Sequence, residues 1–200
     1  MNPMNPTQTL PYTPLVKTLL PTRSALRDLL LVLGGSLFVA LCAQASIPTQ
    51  PVPITLQTLG VLLVGAALGS RLGFLALVAY LLEGLVLPVF AGGKTWAATS
   101  FTAGYLVAFP LAAFLVGYLV ERFGTDRSPW KTLLAMLLAN LVIYALGVPW
   151  LGYMLAGIGK YAGVEAVLQA GMIPFLAGDL VKAVIAAALL PTAWRLIGRR

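Results

Sequence analysis

Apolar residues run through this chain in long blocks, separated by short clusters of charge, proline and glycine. Six blocks are nearly free of charge, and each is long enough to cross, or nearly cross, a hydrocarbon layer about 30 Å thick. The first span runs from Leu26 to Ile47 and is followed by a proline-bracketed loop, Pro48–Pro53. A second span, Ile54–Leu68, stops at the tight turn Gly69-Ser70-Arg71-Leu72-Gly73, and a third continues from there to Leu87. Both are short for lone helices, so they are expected among longer neighbours or beside a cavity that thins the barrier. The glycine-rich loop Ala91-Gly92-Gly93-Lys94 leads into a fourth span, Ala98–Val120, which Pro110 is expected to kink.

A fifth span covers Trp130–Leu146. The next stretch, Val148–Gly171, is interrupted by Pro149 and several glycines and reads as short helix and loop on the membrane surface or folded into its outer half. A sixth span, Met172–Ile197, precedes Arg199 and Arg200. The expected fold is therefore an all-α integral membrane protein with six transmembrane helices. Residues 1–23 read as a cytoplasmic tail, disordered or partly on the membrane surface, and residues 24–200 as one six-helix membrane domain. Arg23, Arg27 and Ala43-Gln44-Ala45 imitate a signal peptide, but the apolar run is long and five more spans follow.

Charge orients this arrangement. With six spans, Lys17, Arg23, Arg27, Arg71, Arg122, Arg127, Lys131, Arg195, Arg199 and Arg200 fall on one side, and only Lys94 and Lys160 on the other. Ten against two is a strong positive-inside bias, which puts both termini in the cytoplasm; five or seven spans would spoil it. The net charge of +7 is thus topological, beside apolar spans, and does not mark a nucleic-acid partner.

Composition narrows the chemistry. Hydrophobic residues make up 60% of the 200-residue chain and charged ones 10%, far from a soluble domain and consistent with a plasma-membrane protein whose first partner is lipid. The absence of histidine removes histidine-based zinc sites, Ser-His-Asp hydrolases and histidine proton relays. Cys42 stands alone, so no internal disulfide or cysteine metal cluster can form. No catalytic set and no metal site are expected, and no phosphate-binding Gly-x-x-x-x-Gly-Lys-Ser/Thr loop occurs, so ATP-driven work would need a separate chain.

The informative residues are those a bilayer should exclude, because an ionised side chain at mid-membrane costs roughly 3 kcal/mol on insertion scales. Asp179 and Lys182, three positions apart, share one helix face after Gly178. They read either as a mutual salt bridge or as the lining of a substrate cavity, and the two readings agree when the site is empty. Glu83 reads equally as a ligand contact, an interfacial charge or a bond to a neighbouring helix end. Gln57, Phe90, Trp96, Tyr105, Tyr144 and Trp150 gather on the same outer side, as an aromatic belt or as a pocket near Lys94. Asn140 reads as helix–helix glue.

Four runs carry a resemblance: Pro53-Ile54-Thr55-Leu56-Gln57-Thr58-Leu59-Gly60, Leu87-Pro88-Val89-Phe90-Ala91-Gly92-Gly93, Thr102-Ala103-Gly104-Tyr105-Leu106 and Gly178-Asp179-Leu180-Val181-Lys182. In this order and spacing they resemble the BioY family, the substrate-binding S components of energy-coupling-factor biotin transporters, over about Leu26 to Ile197. Where members often show Gly-Pro-Thr-Gly-Gly, this chain has Ser100-Phe101-Thr102-Ala103-Gly104.

The resemblance implies a six-helix protein that binds biotin near the outer face and needs no cofactor. Its partners would be a transmembrane coupling subunit and two ATPase subunits. The loop Pro48–Pro53 would help cover the pocket. Asp179 and Lys182 would contact biotin, with Thr55, Gln57, Glu83, Phe90, Gly93, Lys94, Tyr105 and Tyr144 as further candidates, and Lys94 or Lys182 facing the valerate carboxylate. Ser36 and Ala40, a small-xxx-small pair, would dock the coupling subunit, although packing inside this chain explains them equally well. Two alternatives remain: the same architecture for another vitamin-like ligand, and a self-sufficient ion-coupled carrier with Asp179 and Glu83 as proton sites.

Overall fold

The computed structural model describes residues 12–22, 24–96 and 101–197. The expected start of the fourth span at Ala98, together with Arg23, Arg199 and Arg200, lies outside them. Among the described residues the chain is helical apart from loops and one small hairpin. In chain order come α1 (Leu15–Leu19), α2 (Ala25–Gln44), the strands β1 (Ser46–Ile47) and β2 (Ile54–Thr55), α3 (Gln57–Leu68), α4 (Ser70–Glu83), α5 (Ala103–Phe123), α6 (Pro129–Gly157), α7 (Val164–Gly171) and α8 (Ile173–Ile197). The two strands pair antiparallel, with Ser46 opposite Thr55 and Ile47 opposite Ile54, so the proline loop forms their turn.

Among the described residues, four helical stretches are long and apolar enough to cross a membrane: Ala25–Gln44, Ala103–Phe123, Pro129–Gly157 and Val164–Ile197. With 12 and 14 residues, α3 and α4 are shorter; at 1.5 Å per residue they reach only about 18 and 21 Å. Packing accounts for their stability. Val61, Leu62, Ala66, Ala76, Leu77 and Tyr80 are almost completely buried, so these two helices are interior elements held by their neighbours.

Unlike a soluble bundle, this one is apolar outside as well as inside. Large side chains such as Leu30, Leu41, Leu141 and Val181 are more than half exposed on its outside. Where helices cross, the interior adds alanine and glycine to its larger apolar residues, because helices in lipid gain contact by close approach. The central α5 shows this best: Ala108, Ala112, Ala113, Val116 and Gly117 are buried along it. A Cβ at Gly117 would sit 2.3 Å from the backbone of Gly69 and Ser70, and one at Gly65 would sit 2.5 Å from the Ala113 carbonyl oxygen. Gly69 itself turns α3 into α4 with φ of 84°, in the region that favours glycine.

The Val148–Gly171 expectation is corrected in its first half. Pro149 does not end the fifth span, because α6 continues through it to Gly157. A proline costs a helix one hydrogen bond and a clash with the preceding turn, about 3 kcal/mol, but here contacts on both sides hold the helix in register. Trp150 fits against Gly104 and the Tyr105 ring against Gly147, leaving no room for a Cβ at either glycine. Only then does the chain loop through Gly159 and Gly163 into the short α7. Likewise, α5 runs on through Pro110.

One end of the bundle is tied by polar contacts. Buried Glu121 accepts hydrogen bonds from Ser70 Oγ (2.5 Å) and Lys17 Nζ (3.0 Å), which draws α1 onto the α3–α4 turn. Residues 12–20 therefore dock on the bundle, where a free tail was one expectation. In the loop before α6, Arg127 lies against the rings of Tyr12 and Trp194, at 4.9 and 4.4 Å from their centroids. Trp194 Nε1 donates to Asp126 Oδ2 at 2.5 Å. Burial pushes the Asp126 carboxyl above the usual carboxylate range, and the indole bond and Arg127 oppose that shift. The hairpin, the glycine loop and α7 occupy the opposite end.

Candidate functional site

At that opposite end the helices enclose a chamber of about 480 Å³, within the range of small-molecule sites. Its polar base comes from three helices. Asp179 and Lys182 of α8 are buried and face inward, with Nζ 3.0 Å from Asp179 Oδ1. Thr58 of α3 joins them both: its Oγ1 accepts from Lys182 Nζ at 2.9 Å and donates to Asp179 Oδ1 at 3.3 Å. Tyr144 of α6 donates to the other carboxylate oxygen, Oδ2. The salt bridge and the cavity lining are thus the same residues. A buried charge is tolerated when it is paired and hydrogen-bonded; here the pair is closed, and two of the three Lys182 N–H donors are used, on Asp179 and Thr58.

The walls are apolar and aromatic. Leu106, Phe109, Ile143 and Phe175 line the chamber together with Phe90 and Tyr105. Phe90 is 1% exposed and stands edge-on to Tyr80 (5.2 Å) and Trp96 (6.1 Å). It fits because residue 84 is glycine, whose Cβ would fall 2.0 Å from the ring. Gln57 lines the same wall and donates to the Tyr80 hydroxyl (2.6 Å), which in turn donates to the Val89 carbonyl (3.1 Å). Tyr105 donates to the Gly171 carbonyl at 2.8 Å, tying α5 to the end of α7.

The mouth is made by two loops. Residues of the β1–β2 loop, including Pro48, Gln50 and Pro53, cover one side. The other side is the glycine loop, where Phe90 and Lys94 bond to each other's backbone. Gln44, at the end of α2, fastens it: Nε2 donates to the Val89 and Phe90 carbonyls (3.3 Å each), and Oε1 accepts from Gly93 N (3.2 Å). Lys94 lines the entrance and is exposed.

The structure thus brings Asp179, Lys182, Thr55, Gln57, Phe90, Lys94, Tyr105 and Tyr144 together around one space. It leaves out Glu83 and Gly93. Glu83 Oε1 accepts from Ser36 Oγ at 2.7 Å, a bond between α4 and α2 away from the chamber. Gly93 spends its N–H on Gln44, while Gly92 and Lys94 do the lining. Ser36 and Ala40 are 1% and 7% exposed, packed into the chain's own bundle, the other explanation their spacing allowed. Trp96 and Trp150 sit at the chamber end, and Trp150 packs on Tyr153. Asn140 is buried one turn below Tyr144, and its Oδ1 has no hydrogen-bond partner among the described residues.

Sequence reasoning did not single out Thr58 or Gln44. The only signal for Thr58 was its place next to Gln57, since a helical threonine in an apolar run usually bonds its own backbone. Replacing Thr58 with valine keeps the shape and deletes both bonds to the charged pair. Hydrogen bonds to charged groups contribute about 1.5–3 kcal/mol, so ligand affinity is expected to fall about tenfold or more. Equilibrium binding by Thr58→Val, with Thr58→Ser as the variant that retains affinity, checks this.

A leucine-faced helix bundle that gathers Asp179, Lys182, Thr58 and Tyr144 in one covered chamber is a multi-pass membrane protein with a site of small-molecule size. The chain belongs to the BioY family, which it matches over residues 13–199. It is 39% identical over 175 residues to the biotin transporter BioY of Rhizobium etli, covering 82% of this chain and 90% of that one. It is 40% identical to the biotin transporter BioY of Rhodobacter capsulatus, covering 78% and 86%, and 38% identical to a probable biotin transporter BioY of Pyrococcus horikoshii, covering 76% and 88%. The fold is similar to the crystal structure of an S-component for biotin from an ECF-type ABC transporter, with a TM-score of 0.71 at 23% identity, covering 87% of this chain and 95% of that one.

Proposed function

We propose that this protein is the biotin-capturing subunit of a vitamin importer, which binds biotin in the chamber and hands it to an ATP-driven coupling module. The observation that carries the reading is the Asp179–Lys182 pair facing into an otherwise apolar, aromatic space. Biotin's ureido ring offers N–H donors and a carbonyl acceptor, the complement of a carboxylate beside an ammonium. Its thiophane ring and valerate chain suit the walls of Phe90, Phe109 and Phe175, and the valerate carboxylate falls to Lys94 at the mouth. Names of relatives at 38–40% identity support the same ligand. In this reading the β1–β2 loop and the glycine loop are the covers through which the vitamin enters.

The proposed topology has six crossings, α2, α3, α4, α5, α6 and α8, with both termini cytoplasmic. Its support is the gathering of charge. Contacts from Ser70 to Glu121 and from Trp194 to Asp126 bring Arg71, Arg122, Arg127, Lys131 and Arg195 to one end, and Lys94 and Lys160 belong to loops at the other. Residues 24–200 then form one membrane domain behind the segment 1–23. A transmembrane coupling subunit and two ATPase subunits complete the importer.

The test is equilibrium binding of labelled biotin to the purified full chain, with other vitamins as competitors. Nanomolar binding that unlabelled biotin alone displaces is expected. Absent binding, or equal displacement by an unrelated vitamin, would overturn the ligand assignment.

A further inference from the structure

A second concavity opens on the outer surface at the basic end of the bundle, far from the chamber. It is a groove of about 380 Å³ between the start of α6 and the last turns of α8. Its floor is apolar: Leu133 on one side, Val184, Ala187 and Ala188 on the other. The groove is shaped by the small side chains of Ala187 and Ala188, where the flanking surface carries leucines such as Leu189 and Leu196. At one end stand Trp130, 80% exposed, and Arg195.

Arg195 has no ion-pair partner among the described residues. At that end of the bundle Glu121 pairs with Lys17, and Asp126, buried, accepts from the Trp194 indole and forms no ion pair with Arg195. Lys131, directly after Trp130, is exposed at the same end and also has no ion-pair partner among them.

We propose that this groove binds one anionic phospholipid, its phosphate held by Arg195 with Lys131 alongside and one acyl chain lying along Val184, Ala187 and Ala188. Three features converge on that occupant. A guanidinium matches phosphate oxygens in a bidentate fork. An exposed tryptophan marks headgroup depth, where a lipid's phosphate lies by its own geometry. Basic pockets between transmembrane helices select anionic headgroups. A protein helix would instead have to carry a carboxylate to that depth to satisfy the same cation. The lipid would fasten the ends of α6 and α8, the two helices that supply Tyr144, Asp179 and Lys182 to the chamber.

The experiment is native mass spectrometry of the full chain in detergent, titrated with an equimolar mixture of phosphatidylglycerol and phosphatidylcholine of distinct mass. A cation near the surface contributes about 1 kcal/mol, so phosphatidylglycerol should be retained about fivefold in preference. Arg195→Gln should reduce the preference, Arg195→Gln with Lys131→Gln should bring it close to unity, and Ala188→Phe should lower retention of either lipid. Arg71→Gln, at the same end but outside the groove, should change nothing. Equal retention of the two lipids by the unmodified chain, or an unchanged preference in Arg195→Gln, overturns the proposal. So does an Ala188→Phe variant that keeps its lipid and loses association with a coupling subunit, which would assign the groove to protein.

Discussion

Asp179→Asn is expected to weaken biotin binding by about 100-fold or more. The substitution is nearly isosteric, so its effect is electrostatic. Lys182 Nζ would lose its ion-pair partner 3.0 Å away and stay buried as a lone ammonium with only Thr58 for company. That lone charge lowers stability, by about 3–5 kcal/mol for a broken buried pair. Affinity falls because the carboxylate proposed to accept the ureido N–H groups is gone: two hydrogen bonds to a charged acceptor, at about 1.5–3 kcal/mol each, amount to about 100-fold or more at about 1.4 kcal/mol per factor of ten. The Tyr144 hydroxyl would also lose its anionic acceptor. Equilibrium binding measures the loss, and thermal unfolding separates it from loss of fold. The double change Asp179→Asn with Lys182→Met decides between the two roles of the pair. It removes the unpaired charge and should regain stability without regaining affinity. Wild-type affinity in the double variant would make the pair a structural tie alone.

The second large effect is expected at Gly117→Ala. In an ordinary helix interior this change stabilises by about 1 kcal/mol. Here the new methyl would lie 2.3 Å from the backbone of Gly69 and Ser70, where no side chain can swing aside. Overpacking a rigid contact costs about 1–3 kcal/mol, so the sign should reverse, with the unfolding midpoint in detergent falling by several degrees. The displaced turn also carries Ser70, whose bond to Glu121 ties that end of the bundle. Gly34→Ala, where a Cβ meets nothing within 4 Å, should leave the midpoint unchanged or raise it. Equal midpoints for the two variants would mean that α5 does not pack against the α3–α4 turn as described.

These two residues show different degrees of legibility. Asp179 stands out from the sequence alone, because an acidic residue in an apolar run must answer for its cost. Its partner follows from helical spacing. Gly117 is one glycine among 20, and nothing local distinguishes it from Gly34, which touches nothing. Thr58 is hidden for the same reason: its importance comes from α8, 121 and 124 positions away. Pro149 misleads in the other direction. Its local rule predicts a break, and contacts from Gly104 and Tyr105 overrule it.

What the chain determines by itself is class and material: long apolar blocks, basic residues clustered between them, and a charged pair one helical turn apart. Each follows from transfer free energy or helical period, which are properties of neighbouring residues. What only the tertiary structure decided is which polar groups meet. Glu83 went to Ser36, Ser36 and Ala40 turned inward, and Asp179 gained Tyr144 and Thr58 from two other helices. Those outcomes depend on how closely helices approach and at what rotation, and side chains distant in sequence set both.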